Sequence, residues 1–318
     1  MQKTSKKFSI ITPVYNRADC IIRCMNSVTR QNGEIEHWIV DDGSTDGTLQ
    51  VIQEYASLHS HIKIVHHDTN KGVNAARNSA IQKCNGKYIL FLDSDDELKE
   101  AAIQKIDETI VAYPHFLHYL FLIDREAKKD LPPHLLQPTV ITYQDWLLEK
   151  ISGDFLHVMN REMLQNFPFN EQVRIYEIVG FLQLYQYSQK QLFIPEILVH
   201  IEQNRKDSVS LQYKLTTKKA ICRESIALKE IIHLCYTDYV KAGAIKEISR
   251  IIKKYKMLAL ATEDYTCLKD VPYPPVTNIM KIVNKARLGK ILCLTIIGYS
   301  KLKSLLLSLI HISEPTRP

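Results

Sequence analysis

The chain has 318 residues, 45% of them hydrophobic and 24% charged, with a formal net charge of +6. That is ordinary globular composition, long enough for one large domain or one domain with an appendage. No uninterrupted apolar run reaches the roughly 20 residues that span a bilayer. The charge is too modest to specify nucleic acid as a partner, and MQKTSKKF at the start does not resemble a signal peptide. The seven cysteines make no CxxC pair or zinc spacing, which fits a reducing, cytosolic compartment.

In chain order, the first strand is expected at Phe8–Val14, FSIITPV. Ile21, Met25 and Val28 then recur at helical spacing, with Cys20 and Cys24 as buried free thiols. Trp38, Ile39 and Val40 form a short apolar strand. A helix led by Ser44-Thr45-Asp46 follows, with Leu49, Ile52 and Ala56 on one face. Ile62, Ile64 and Val65 suggest a third strand, and Val73, Ala76, Ala80 and Cys84 a third helical stripe. Tyr88–Leu92 is the fourth strand, after which Asp96 and Glu97 open a helix continued by Ala102, Ile106 and Ile110. Strands alternating with helices predict an α/β fold, with a mostly parallel sheet and right-handed crossovers.

Ligands of such sheets bind beyond the carboxyl ends of the strands. There the chain reads ThrProValTyrAsnArg (12–17), AspAspGlySerThrAspGlyThr (41–48) and AspSerAspAspGlu (93–97). One such tip is a plain solvated turn; three should converge on one edge. A carboxylate cluster there calls for a cation, hydrogen-bond donors or water. No GxGxxG follows the first strand, which argues against a dinucleotide oxidoreductase.

With AsnLysGlyValAsnAlaAlaArgAsn at 70–78, these stretches resemble the family 2 glycosyltransferases of the GT-A fold, of bacterial polysaccharide type. The resemblance is close over residues 8 to about 110 and scattered through about 210. It implies inverting transfer from a nucleotide-diphosphate donor, a UDP-sugar, to a hydroxyl of a saccharide or lipid-linked saccharide. It also implies a divalent metal, Mn²⁺ or Mg²⁺. Thr12, Pro13, Val14 and Tyr15 would line the base slot, with Asn16 and Arg17 beside it. Asp42 would accept from a base nitrogen or cap its turn, so that Asp41 and Asp42 divide the two tasks. Asp95 would hold the metal; Asp93 would serve chiefly the ribose side and share in the metal site, with Ser94 between them. Arg77 either reaches the donor or pairs with Asp93; Asn74 and Asn78 lie on the helix surface or brace a loop.

In the second half, residues 116–124 form a further strand and Pro132, Pro133 and Pro138 a loop. FPFNEQVRIYEIVGFLQL (167–184) falls where the family places an acidic pair ahead of a helix. The pair here reads Glu177-Ile178, so Glu177 is the candidate general base or merely a helix N-terminal acid. Gln203 and Arg205 stand where relatives often read the first two residues of Arg-x-His-x-x-Ser. These departures keep a second class open: a sugar-nucleotide-binding protein that no longer transfers.

The expected layout is a GT-A domain over 1–210, with halves 8–110 and 111–210, and a helical extension over 211–270. Residues 271–306 form a linker and a basic amphipathic helix. That helix, from about 280, either lies on an anionic membrane surface, at the inner face of the cell membrane, or packs back onto the domain. LSLIHISEPTR (307–317) resembles a translated sequencing adapter, and 307–318 is left out of the fold reading.

Overall fold

The computed structural model describes residues 7–124, 131–173, 176–202, 215–270 and 277–312. The chain divides into two compact units, Met1–Gln203 and Asn204–Pro318.

The first unit is built on one sheet. β1 (Phe8–Val14) runs parallel to β2 (Ile35–Asp41) from Phe8 opposite Ile35 to Val14 opposite Asp41. β3 (Ile62–His66) lies parallel on the outer side of β2, and β4 (Tyr88–Phe91) parallel on the other side of β1. The crossovers are α1 (Ile21–Thr29), α2 (Thr48–Leu58) and α3 (Val73–Ile81). β1 is apolar almost throughout because both its faces are covered. Ile10 and Val14 pack with Met25, Ile39 and Ile52, whereas Ile11 packs with Val40, Ala76 and Ala80 on the opposite face.

Beyond β4 the sheet becomes mixed. After β5 (Glu97–Leu98) come α4 (Ala102–Ala112), β6 (His118–Ile123), β7 (Thr139–Thr142), α5 (Tyr143–Leu147), β8 (Phe155–Asn160), α6 (Arg161–Asn166), α7 (Ile178–Ser188) and β9 (Lys190–His200). The order is β3-β2-β1-β4-β8-β6-β9-β5, with β7 also on β9. β8 is antiparallel to both β4 and β6, while β6 and β9 are parallel.

Two local expectations change. Asp96 and Glu97 do not open α4: Glu97 pairs with His200 in β5, and Asp96 Oδ1 accepts from the Glu202 N–H at 3.2 Å. The edge of β9 offers ladder partners that a free helix start does not. α2 begins at Thr48 rather than at Ser44, with Gly47 at φ 88° as its N-cap; Asp46, one residue earlier, accepts from the Thr48 N–H at 3.0 Å.

The second unit is helical: α8 (Lys218–Lys241), α9 (Ile245–Ala261), α10 (Cys267–Asp270), α11 (Asn278–Lys285) and α12 (Gly289–Ile312). Ile221, Leu258, Ala261 and Cys293 form its core. The single basic helix expected from 280 is two helices, broken at Arg287, where φ is 54°, and Gly289. A Cβ at Gly289 would stand 2.4 Å from the Leu260 carbonyl oxygen, so the chain turns where only glycine fits. Among the described residues no helix is long and apolar enough to cross a membrane. Gln203, Arg205, the linker 271–276 and residues 313–318 lie outside the described residues.

Candidate functional site

The carboxyl ends of β1 and β2 are tied together by backbone donors. Asn16, held at φ 52°, donates its N–H to Ser44 Oγ (2.9 Å) and accepts from the Thr45 N–H through Oδ1 (2.8 Å). The Arg17 N–H donates to Thr48 Oγ1 (2.7 Å), and the Arg17 guanidinium donates to the Asn16 carbonyl (3.0 Å). Gly43, at φ 76°, sits against the backbone of Thr69 and Asn70, which a Cβ would approach to 2.8 Å. Thr12 and Val14 do not present side chains to a slot. Both are buried, and Thr12 Oγ1 shares a hydrogen bond of 2.9 Å with His37 Nε2. Strand alternation turns them into the core, so only their backbone faces the edge. Pro13 is half-buried and Tyr15 is exposed.

Asp41 and Asp42 are both buried and are treated differently by β3 and the loop after it. Asp42 spends both oxygens on the fold: Oδ1 meets His67 Nδ1 (2.8 Å) and the Lys71 N–H (2.9 Å), and Oδ2 accepts from the Gly72 N–H (2.7 Å). His67 is buried and also meets Ser79 Oγ at 2.9 Å. Asp41 Oδ2 pairs with His66 Nδ1 at 2.8 Å and accepts weakly from the Ser44 N–H. Asp41 Oδ1 is buried without a hydrogen-bond partner. A buried, unmatched carboxylate oxygen is costly unless a donor arrives. In this structure Asp42 holds the turn with both oxygens, and Asp41 keeps one buried oxygen unmatched.

α3 joins the two halves of the sheet. Asn74 Nδ2 donates to the Asn170 carbonyl (2.8 Å), and Asn78 exchanges hydrogen bonds with the Phe169 backbone and donates to Glu171 Oε1 (3.0 Å). Both asparagines brace the loop that leads to Glu177. Arg77 is buried, its guanidinium lying 4.6 Å from the Phe91 ring centre. Nη1 pairs with Glu177 Oε2 at 2.5 Å and Nη2 stands 3.5 Å from Asp93 Oδ1. One cation from the crossover helix thus holds a carboxylate from each half of the domain.

The Asp93 side chain is accessible at the surface. Desolvation by the surrounding protein raises its pKa; Arg77 opposes that rise, and Glu177 and Asp154 add to it. Ser94 is buried and Asp95 half-buried on the same turn. Among the described residues no three His, Cys, Asp or Glu side chains are grouped to hold a metal unaided. Two hard carboxylates on one turn match a cation whose remaining ligands are phosphate and water oxygens.

Glu177 is the residue immediately before α7, and Ile178, in the first turn, is exposed. His66 and His67 escaped the sequence reading. The available signal was register: Asp41 lies opposite His66 in the β2–β3 ladder.

The family model described as Glycosyl transferase family 2 matches residues 9–165. The Bacillus subtilis protein named as teichuronic acid biosynthesis glycosyltransferase TuaG is 35% identical over 160 residues, 48% of this chain and 62% of that one. The Campylobacter jejuni GalNAc(5)-diNAcBac-PP-undecaprenol beta-1,3-glucosyltransferase is 29% identical over 64% of this chain and 67% of its own length. The chain thus spans about two thirds of the length of these curated relatives. Among solved structures, Staphylococcus aureus TarS 1–349 in complex with UDP-GlcNAc superposes with a TM-score of 0.64 at 17% identity, covering 93% of this chain and 92% of that one. That likeness establishes the shared GT-A fold.

Proposed function

Residues 9–165 belong to glycosyl transferase family 2, and from that premise we infer that the protein transfers a sugar, with inversion, from a nucleotide-diphosphate donor to an acceptor hydroxyl. The observation that carries the reading is the linkage of Asp93, at the carboxyl end of β4, through Arg77 to Glu177. It supports a site where donor diphosphate and acceptor meet. The open oxygen of Asp41 suits an N–H donor on a pyrimidine base, which favours a UDP-sugar. Asp95 and Asp93 would hold Mg²⁺ or Mn²⁺, which when bound offsets the charge gathering on the departing diphosphate. Glu177 takes the acceptor proton as the acceptor oxygen attacks. Arg77 and the braced loop keep that carboxylate in position. The acceptor class is a saccharide or lipid-linked saccharide, with the chain working on the cytoplasmic side in surface polysaccharide or glycolipid synthesis. Ile178, at the place of the usual second acid, favours a second reading in which donor binds without transfer.

Thermal melts with UDP-GlcNAc and other nucleotide sugars, with and without Mn²⁺, test the reading. A donor at 100 times its Kd stabilises by about 2.7 kcal/mol. Asp95→Ala should lose the metal-dependent part; an equal response of parent and variant to Mn²⁺ overturns the metal assignment. No stabilisation by any nucleotide sugar sinks the donor site. Stabilisation without release of sugar to acceptor or water selects the second reading.

A further inference from the structure

α12 is apolar on two sides. Leu292, Cys293, Ile296 and Ile297 face inward against Ile221, Leu258 and Ala261. That inner stripe satisfies its packing within the helical unit. Yet Ile291, Leu294 and Tyr299 stand 59%, 69% and 70% exposed. With Gly298 they fall at i, i+3, i+7 and i+8, one continuous outer stripe. On α11 the same holds: Val283 is buried while Ile279 and Ile282 are 70% and 60% exposed. Leaving five large apolar side chains in water on two consecutive helices is unfavourable by roughly 25 cal/mol per Å². A surface of this kind marks an interaction site.

Charge says which kind. Residues 277–312 contain Lys281, Lys285, Arg287, Lys290, Lys301 and Lys303 and no aspartate or glutamate. All six basic residues are exposed. On the α12 wheel Lys290 and Lys301 flank the outer apolar stripe on one side, next to Leu294. Long basic side chains beside an apolar stripe reach anionic headgroups while their stems and the stripe rest in the acyl boundary. A protein partner with an acidic rim is the competing outcome, but six exposed basic residues with no acid over 277–312, set beside an apolar stripe along the helix, complement an anionic lipid surface most directly. We propose that α11 and α12 dock the protein, through this outer face, on an anionic lipid surface. The docking does not depend on whether sugar is transferred.

The test uses the full chain and vesicles of phosphatidylcholine alone or mixed with phosphatidylglycerol. Co-sedimentation should occur with the mixed vesicles, weaken at high salt, and be nearly absent with phosphatidylcholine. Each basic residue near the surface contributes roughly fivefold in affinity, so K290Q with K301Q should weaken binding more than tenfold. Leu294→Asp should abolish it with the thermal midpoint unchanged, since the position is exposed. Equal binding to both vesicle types, no binding, or retention of binding by both variants overturns the proposal. A loss of self-association in L294D, measured by sedimentation velocity, without vesicle binding by the parent assigns the face to a second copy of the chain and likewise overturns it.

Discussion

Asp41 and Asp42 are adjacent carboxylates with opposite surroundings. Asp42 is matched by three donors or partners, whereas one oxygen of Asp41 waits for a donor. Asp41→Asn, whose amide oxygen can still accept but carries no charge, should therefore weaken donor affinity by about 1 kcal/mol, the difference between a charged and a neutral hydrogen bond, with a smaller change in melting than Asp42→Asn. Asp42→Asn should do the reverse, because an amide cannot accept from both the Lys71 and Gly72 N–H groups through both of its side-chain atoms. Titration calorimetry and melts of the two variants decide it; matching losses of affinity in both would contradict the division. Glu177 and Ile178 form a second such pair. Glu177→Gln should retain donor affinity and lose roughly 10²- to 10⁴-fold in transfer rate. Ile178 is exposed at a helix N-terminus, where an acid is favoured by the macrodipole, so Ile178→Asp should fold normally and raise transfer if the second acid is the missing base. Full activity in Glu177→Gln would move the search to Glu171 and Asp154.

The strands carry a pH dependence of their own. His37 in β2 and His157 in β8 have pKa values lowered to about 3, and His118 in β6 lies well below its usual value; burial is the main cause in each. His118 Nε2 meets His157 Nδ1 at 2.9 Å, so the two share one proton between neutral rings. In the unfolded chain these rings take up protons below about pH 6.5. A depressed folded pKa means the stability is fully present above that pH and is lost as pH falls toward about 3. Each ring then contributes a slope of about 1.4 kcal/mol per pH unit. Unfolding free energy measured between pH 6 and pH 5 should drop accordingly. His37→Gln, which can keep the bond to Thr12, should reduce that slope by about one ring's share. An unchanged slope would mean that His37 is charged in the fold. At this scale the periodicity of the first 110 residues was enough to expect β1 to β4 and α1 to α3, since each strand is an apolar run and each helix a 3.6-residue stripe. β5 was illegible because two residues, Glu97 and Leu98, become a strand only where β9 offers its edge.

Across the whole molecule, the candidate site residues from Thr12 to Glu177 all lie in the unit Met1–Gln203. Both tryptophans, Trp38 and Trp146, lie there too, while the unit from Asn204 is helical among its described residues. Tryptophan fluorescence therefore reports the first unit alone, and far-UV ellipticity reports both. Saturating donor with Mn²⁺ should raise the fluorescence midpoint more than the ellipticity midpoint; equal shifts would show one cooperative transition. Local information determined a good deal of this protein. Strand ends fall where apolar runs stop, and Thr12–Arg17, Asp41–Thr48 and Asp93–Glu97 sit at those ends because polar residues cannot continue a doubly covered strand. Tertiary structure alone decided what those residues touch. Arg77 could satisfy any nearby carboxylate, and it is the packing of Phe91 beneath its guanidinium that aims it at both Asp93 and Glu177. Which of Asp41 and Asp42 is left open depends on the β2–β3 register and on the loop that brings the Lys71 and Gly72 N–H groups to one of them. Hydrogen-bond satisfaction is a property of three-dimensional neighbours, and identical side chains one residue apart carry no record of it.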